Sequence, residues 1–405
     1  MDIAVYTLTS PLHDENAVNA VSKDFISGIE MALGAGLDFK GADFTEYGTH
    51  DLDIIYVRTG GTEGLFKEVF PVLGGNILLM TSGKSNSLAA SMEIMSYLNQ
   101  QGRSGEILHG SVEYIAERLR ILAQVSKARK ALEGRNMGII GKPSDWLISS
   151  EADKDKVAGR LGLNLVDIDI EELISEIRAT EASEAGIDED LKNALAKAPS
   201  AVRKYTEGAL TIYAALKKIA DRYNLSGLTL RCFDLLPAVG NTGCLALALL
   251  NAEGIPAGCE GDVPALLTMA IGQALTGQCG FQANPSRIDP QTGKFLFAHC
   301  TVPFNMIGNY SFNTHYESGI GIAVHGELPA GDITVAKVSG DLSRTFCRKG
   351  LLMENRYEDN LCRTQVIVHL NDCAEYFLTN PIGNHHIIFT GDHSTLFDAF
   401  FKQTC

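Results

Sequence analysis

The feature that most constrains this chain is the alternation of short apolar runs with helical periodicity over its first 130 or so positions. Ile3 to Thr7, Leu52 to Val57 and Ile77 to Met80 read as strands. Helix-spaced stretches follow them at Ala17 to Leu33, Leu65 to Val72 and Leu88 to Leu98. Strands separated by helices require crossover connections, so the sheet they build is parallel and doubly wound. A long charged helical pattern, Arg118 to Leu132, then serves as a connector. A second α/β unit opens at Asn136-Met137-Gly138-Ile139-Ile140-Gly141 and runs through strand-like Leu163 to Ile170 and Leu228 to Leu236. A further strand ends in Gly258 to Asp262, and another ends at Phe281. From about position 303 short β-like runs dominate, at Gly319 to Val324, Ile333 to Val338 and Gln365 to Leu370. The predicted architecture is α/β: two doubly wound parallel-sheet domains, 1–132 and 133–302, followed by a β-rich, barrel-like domain at 303–405.

The 405 residues are too many for one compact core. A formal net charge of −15 disfavours nucleic acid, whose phosphates need a basic face. No apolar run reaches the roughly 18 residues that a membrane-spanning helix needs, and Met1 to Tyr6 reads as a strand, not a signal peptide. The nine cysteines form no C-x-x-C pair, which points to buried thiols in a reducing cytoplasm and away from a zinc site.

Chemistry concentrates at Cys259-Glu260-Gly261-Asp262-Val263-Pro264, where a strand gives way to a helix. That is where an open α/β sheet binds ligands. Asp262 is placed to cap the helix, with Pro264 in its first turn. A cap does not explain Glu260, which reads as a metal ligand and general base. Histidines at His299, His315 and the pair His385-His386 could join it, since imidazole with carboxylate suits a divalent transition metal. Gly60-Gly61-Thr62-Glu63-Gly64 and Ser82-Gly83-Lys84-Ser85-Asn86-Ser87 each follow a strand and open a helix. They are tight turns or the lining of a sugar pocket. Neither is a dinucleotide fingerprint, and the second lacks the first glycine of a phosphate-binding loop because Leu78 stands there. Trp146, the single tryptophan, either stacks on a sugar or anchors its loop. No G-x-S-x-G nucleophile motif occurs.

Several stretches together resemble the L-fucose isomerase/L-arabinose isomerase superfamily. They are Asn86 to Ile94, Gly141 to Leu147, Cys259 to Asp262, Ala298-His299-Cys300-Thr301, and Gly383 to His386 with Gly391-Asp392-His393. The likeness spans essentially the whole chain and is strongest from Phe233 onward. It implies two α/β domains and a barrel-like third. It also implies aldose–ketose isomerisation through a cis-enediol, assisted by a divalent metal, usually Mn²⁺, that holds two adjacent sugar oxygens. Carried over, Glu260 is the first catalytic glutamate and His299 a further metal ligand. His386 is the C-terminal metal ligand, with His385 taking that place if the register shifts by one. The family's second carboxylate falls on Asn284, an amide that can neither carry charge nor act as a base. The resemblance thus leaves three readings: Glu260 working with a water or hydroxyl, another carboxylate (Asp262, Glu317 or Asp234) taking over, or a sugar-binding or regulatory protein on the isomerase scaffold. The substrate contacts expected on the enzyme reading are Asp262, Trp146, Gly61, Asn86, His315, Glu317 and His385. The resemblance further implies a homo-oligomer, trimer or hexamer, in which the loops at Gly60 and Ser82 complete a neighbour's site.

Overall fold

The computed structural model describes residues 2–404. The chain divides into two compact units, Met1–Lys127 and Ala128–Cys405.

The first unit is built on five parallel strands: β1 (Ile3–Leu8), β2 (Asp38–Gly41), β3 (Leu52–Val57), β4 (Ile77–Met80) and β5 (Gly105–Leu108), in the order β2-β1-β3-β4-β5. The helix Glu15–Leu33 covers one face through Ile26, Ile29 and Leu33. The helices Glu63–Val69 and Ser87–Gln100 cover the other through Phe66, Ala90, Ile94 and Leu98. The crossovers leaving β1 and β3 therefore run on opposite faces, which makes the gap between these strands the switch point of the sheet. The strands β2 and β5 lack apolar runs because they lie at the edges. Asp38–Gly41 is wholly exposed or half-exposed, so no periodicity marks it in the sequence.

The second unit carries a four-stranded parallel sheet of β6 (Asn136–Ile140), β7 (Asn164–Ile168), β8 (Leu225–Leu230) and β9 (Ala257–Cys259), in the order β7-β6-β8-β9. The helices Thr206–Arg222 and Cys244–Ala252 bury Ile212, Leu216, Leu247 and Leu250 against one face. The same unit contains a closed antiparallel barrel. Its strands are β10 (Phe281–Asp289), β11 (Lys294–His299), β14 (Gly331–Val338), β15 (Thr345–Arg356), β16 (Thr364–His369) and β17 (His386–Thr390), in the order β10-β11-β16-β15-β14-β17. A ribbon of β12 (Asn309–Asn313) and β13 (Ala323–Glu327) is inserted between β11 and β14. The helix Val263–Thr276 packs against β8 and β9 as well as β14 and β17, and nearly all of it is buried. It joins sheet to barrel. Gly272 and Gly280 make the fit possible: a Cβ on Gly272 would lie 2.1 Å from the Phe389 ring, and one on Gly280 would lie 2.7 Å from it.

The fold class is the α/β arrangement anticipated from the sequence, with the barrel at the C-terminal end. Two details differ. Phe281 starts a strand rather than ending one, and β10 and β11 belong to the barrel, so a boundary at 302 cuts through it. The strand-like run Leu228 to Leu236 stops at Leu230, and the chain turns helical at Leu235–Val239. Apolar content alone cannot tell a buried strand from a buried helix. The eight described cysteines are free thiols, seven of them buried. Among the described residues no helix is long and apolar enough to cross a membrane.

Candidate active site

Strand β9 ends at Cys259, and the next two residues both take left-handed backbone conformations, Glu260 at φ 63° and Gly261 at φ 71°. Asp262 N–H closes the turn onto Cys259 O at 3.2 Å. Two successive positive φ values make this a type I′ turn. Glu260 has a Cβ to accommodate there, at a cost of about 1 kcal/mol or more. The surroundings hold it in place. Ser144 N–H donates to Glu260 O at 2.9 Å and Gly261 N–H to Leu230 O at 3.0 Å. From the barrel side, Gln282 on β10 accepts from Cys259 N at 2.8 Å. The effect is to aim the Glu260 side chain off the carboxyl end of the sheet.

Two histidines from the barrel meet it. His299, the last residue of β11, has its Nδ1 2.9 Å from Thr301 Oγ1, leaving Nε2 toward Glu260 Oε1 at 3.9 Å. His385, one residue before β17, donates from Nδ1 to Asp262 Oδ2 at 2.9 Å. Its Nε2 lies 3.4 Å from Glu260 Oε1. That Nε2 is fully buried and makes no hydrogen bond to any described group. With Nδ1 donating to Asp262, Nε2 is the nitrogen left to a ligand, and a metal ion would take it in exchange for its proton; a buried nitrogen without a hydrogen-bond partner is costly unless something occupies it. The donor atoms of Glu260, His299 and His385 all lie within 4.8 Å of one another. One carboxylate and two imidazoles so placed could hold a divalent transition metal.

The charges under the site are tightly coupled. Burial pushes the Glu260 carboxyl up, but the imidazoles of His299 and His385 pull it further down, well below the usual carboxylate range. Burial depresses His385, yet its contacts with Asp262 and Glu260 outweigh that and raise it to about 9. Asp262 is completely buried. Burial raises it, and the Lys337 ammonium together with His385 brings it down to about 2. Asp262 accepts three ways: from Ala265 N at 2.8 Å as the helix cap, from His385, and from Lys337 Nζ at 3.3 Å to each oxygen. The cap expected from the sequence is present, and it also fixes the ring of His385. No oxygen is left for a substrate.

His386 does not join this group. Along a strand successive side chains point to opposite faces, so His385 and His386 cannot both face Glu260. The His386 Nε2 accepts from the Tyr376 hydroxyl at 2.9 Å, and its Nδ1 donates to Asn384 O at 3.0 Å. Its ring packs among Phe346, Tyr376 and Phe377. Burial and the nearby Lys337 charge push it down to about 3, so it is neutral. The one-residue alternative, His385, is the residue that meets Glu260.

The remaining anticipated residues fall into three places. Trp146 Nε1–H donates to Glu260 Oε2 at 2.6 Å, and its ring, half exposed, stands edge-on to Phe233 at 4.7 Å. Phe233 in turn meets His315 at 5.5 Å. The His315 Nδ1 is paired with Ser318 Oγ at 3.1 Å, and its Nε2 lies 3.9 Å from the exposed Glu317. Asn284 on β10 accepts through Oδ1 from Asn384, the residue before His385, at 3.0 Å. Gly61 and Asn86 belong to the first unit, at the carboxyl edge of its sheet. Gly61 at φ 74° packs onto Ser10, and Asn86 at φ 60° precedes the helix Ser87–Gln100 without capping it through its side chain.

Sequence reasoning missed Lys337 and Phe233. A single lysine in Ile333–Val338 reads as a solvent-facing strand position, and only its burial at 1% exposure shows otherwise. Phe233 looks like one more core residue of an apolar run.

No protein-family model matches the chain. It is 25% identical over 338 residues to a protein named sulfoquinovose isomerase from Priestia aryabhattai, covering 80% of this chain and 74% of that one. Proteins of the same name from Alkalicoccus urumqiensis and Clostridium sp. (strain MSTE9) are 23% and 24% identical over 287 and 266 residues. Those alignments cover 66% and 63% of this chain, and 61% and 59% of the respective relatives.

Proposed function

We propose that this protein is a metal-dependent ketol-isomerase that interconverts the aldose and ketose forms of an acidic sugar derivative, with a sulfonated hexose as the first candidate. The observation that carries the reading is the buried, unpartnered Nε2 of His385 facing Glu260 and His299. The shared name of the relatives supplies the substrate class. A divalent ion such as Mn²⁺ on these donors would stabilise negative charge developing on two neighbouring sugar oxygens.

The chain's own residues account for the rest. Glu260 stays ionised, so it can take a proton from the sugar carbon and return it to the adjacent one. Trp146 holds the second Glu260 oxygen and fixes the carboxylate plane. Asp262, anchored by Lys337, holds His385 in one tautomer. The carboxylate that Asn284 lacks needs a substitute for moving the hydroxyl proton. Asp262 is fully engaged, and both oxygens of Asp234 accept from the Arg231 Nε–H at 3.0 Å. Glu317 makes no hydrogen bond to a described residue and stands beside His315, so the His315–Glu317 pair is the second proton carrier in this reading. The reading includes a cytoplasmic homo-oligomer.

Asn284 favours a second reading, a sugar-binding or regulatory protein with weakened catalysis. Incubation with Mn²⁺ and a panel of neutral, phosphorylated and sulfonated aldoses in D₂O, followed by NMR, separates the two. An isomerase forms ketose that carries deuterium at C1, with deuterium at C2 of aldose re-formed by the reverse reaction, and Glu260→Gln abolishes both. Ligand-induced thermal stabilisation without any turnover, in protein that takes up no metal from excess Mn²⁺, would overturn the enzyme reading.

A further inference from the structure

The first unit has a pocket of its own, and nothing in the isomerase chemistry uses it. It opens at the switch point of the first sheet, beside the carboxyl ends of β1 and β3 and under the helix Glu15–Leu33. Crevices at that place in doubly wound sheets are where such folds bind small ligands. The cavity measures about 270 Å³. That is slightly below the usual range for drug-sized ligands, so it suits a small organic molecule.

The chemistry of the lining is one-sided. Arg58 and Lys23 face the cavity, and none of its lining residues is acidic, in a protein whose formal net charge is −15. Arg58 is half-buried, and its guanidinium is held only by neutral oxygens. Nε donates to Ser22 Oγ at 3.1 Å, Nη1 to Thr9 Oγ1 at 3.3 Å, and Nη2 to Asn19 Oδ1. A guanidinium has five N–H donors, so these three contacts leave donors free and the full positive charge uncompensated. No described carboxylate lies within ion-pair distance of either cation. A guanidinium oriented by neutral side chains and left without a counter-ion is arranged for a planar or tetrahedral oxoanion. The lining also includes apolar surface from Ile26, Tyr56 and Phe39, the last of these 45% exposed. Such a surface fits a carbon skeleton attached to the anion.

We infer that this pocket is an oxoanion site: Arg58 and Lys23 bind the phosphate, sulfonate or sulfate group of a small molecule whose carbon skeleton lies on Phe39 and Tyr56. The inference does not rest on the isomerase reading, since none of the residues involved lies in the second unit.

Calorimetric titration of the full-length protein in chloride-free buffer tests it. The probes are inorganic phosphate, methanesulfonate, glucose 6-phosphate and, as a neutral control, glucose. The anions should bind and glucose should not. Tighter binding of glucose 6-phosphate than of phosphate identifies an organic anion as the ligand, and equal binding identifies the free ion. Both results place an oxoanion here only if Arg58→Met weakens binding by about tenfold or more and Lys23→Gln by a few-fold. Should Arg58→Met fail to fold, the charge reversal Lys23→Glu, at an exposed position, decides, with binding expected to fall below detection. Unchanged affinity for inorganic phosphate and methanesulfonate in Lys23→Glu, or no binding of either anion by the parent protein, overturns the inference. Glu260→Gln should leave anion binding intact while removing isomerase activity, so failure of one reading is distinguishable from failure of the other.

Discussion

At the scale of single residues, the site is an arrangement of buried charges that stand or fall together. His385 and His386 are adjacent and both buried, yet their surroundings assign them opposite tasks. His385→Ala is expected to abolish Mn²⁺ binding measured by calorimetry while leaving the fold in place. His386→Ala should leave metal affinity within a few-fold of the parent. It removes a ring packed among Phe346, Tyr376 and Phe377, so it should instead cost about 2–4 kcal/mol in denaturant unfolding. Equal loss of metal by both variants would contradict these roles. Lys337 is the sole ammonium facing Asp262 among the described residues. Its replacement by Met leaves a carboxylate with no exposure balanced by His385 alone, a change that costs up to about 3–5 kcal/mol. Lys337→Met should therefore lower the thermal midpoint sharply. In the double variant Lys337→Met/Asp262→Asn, much of that stability should return, because no buried charge is left unpaired.

At the scale of elements, the turn after β9 is the joint on which the site depends. It must reverse the chain, cap the helix Val263–Thr276 and aim Glu260, all within three residues. Gly261 permits this. A Cβ there would lie 2.4 Å from Lys142 O, and its φ of 71° disfavours any side chain. Gly261→Ala is expected to displace the 141–147 loop and with it Trp146. The measurable result is a loss of catalytic efficiency of at least about 100-fold and a change in Trp146 fluorescence, with the far-ultraviolet dichroism retained. Wild-type fluorescence and activity in this variant would show that the loop does not depend on the close approach.

At the scale of the molecule, barrel closure couples segments far apart in sequence. The strands β10 and β11 come from 281–299, whereas their partners β17 and β16 come from 386–390 and 364–369. A chain cut at 302 therefore separates strands that need each other. Residues 303–405 expressed alone should fail to give the cooperative unfolding expected of a folded domain, and 1–302 should expose apolar strand edges and aggregate. Co-expression of 1–280 with 281–405 should recover more folded material than the cut at 302, as judged by yield and thermal melting. The opposite ranking would place the boundary elsewhere.

The alternation of strand and helix patterns was enough to determine the α/β class, because a parallel sheet buried on both faces must be written as apolar runs separated by crossovers. Glu260 was legible for a similar local reason. It stands where a strand ends, in a place that capping does not explain, and Asp262 was legible as the cap. The edge strands β2 and β5 were not, since half-exposed backbone pairing leaves no apolar signature. Which histidine meets Glu260 was decided only in three dimensions. A change of one residue moves a strand side chain to the opposite face, and the resemblance carried over His386, whose ring lies among the aromatics around Tyr376. The burial of Lys337 and the pairing of β10 with β17 were likewise decided by tertiary structure. Both depend on contacts between residues 75 or more positions apart, and no local pattern of charge or periodicity records such contacts.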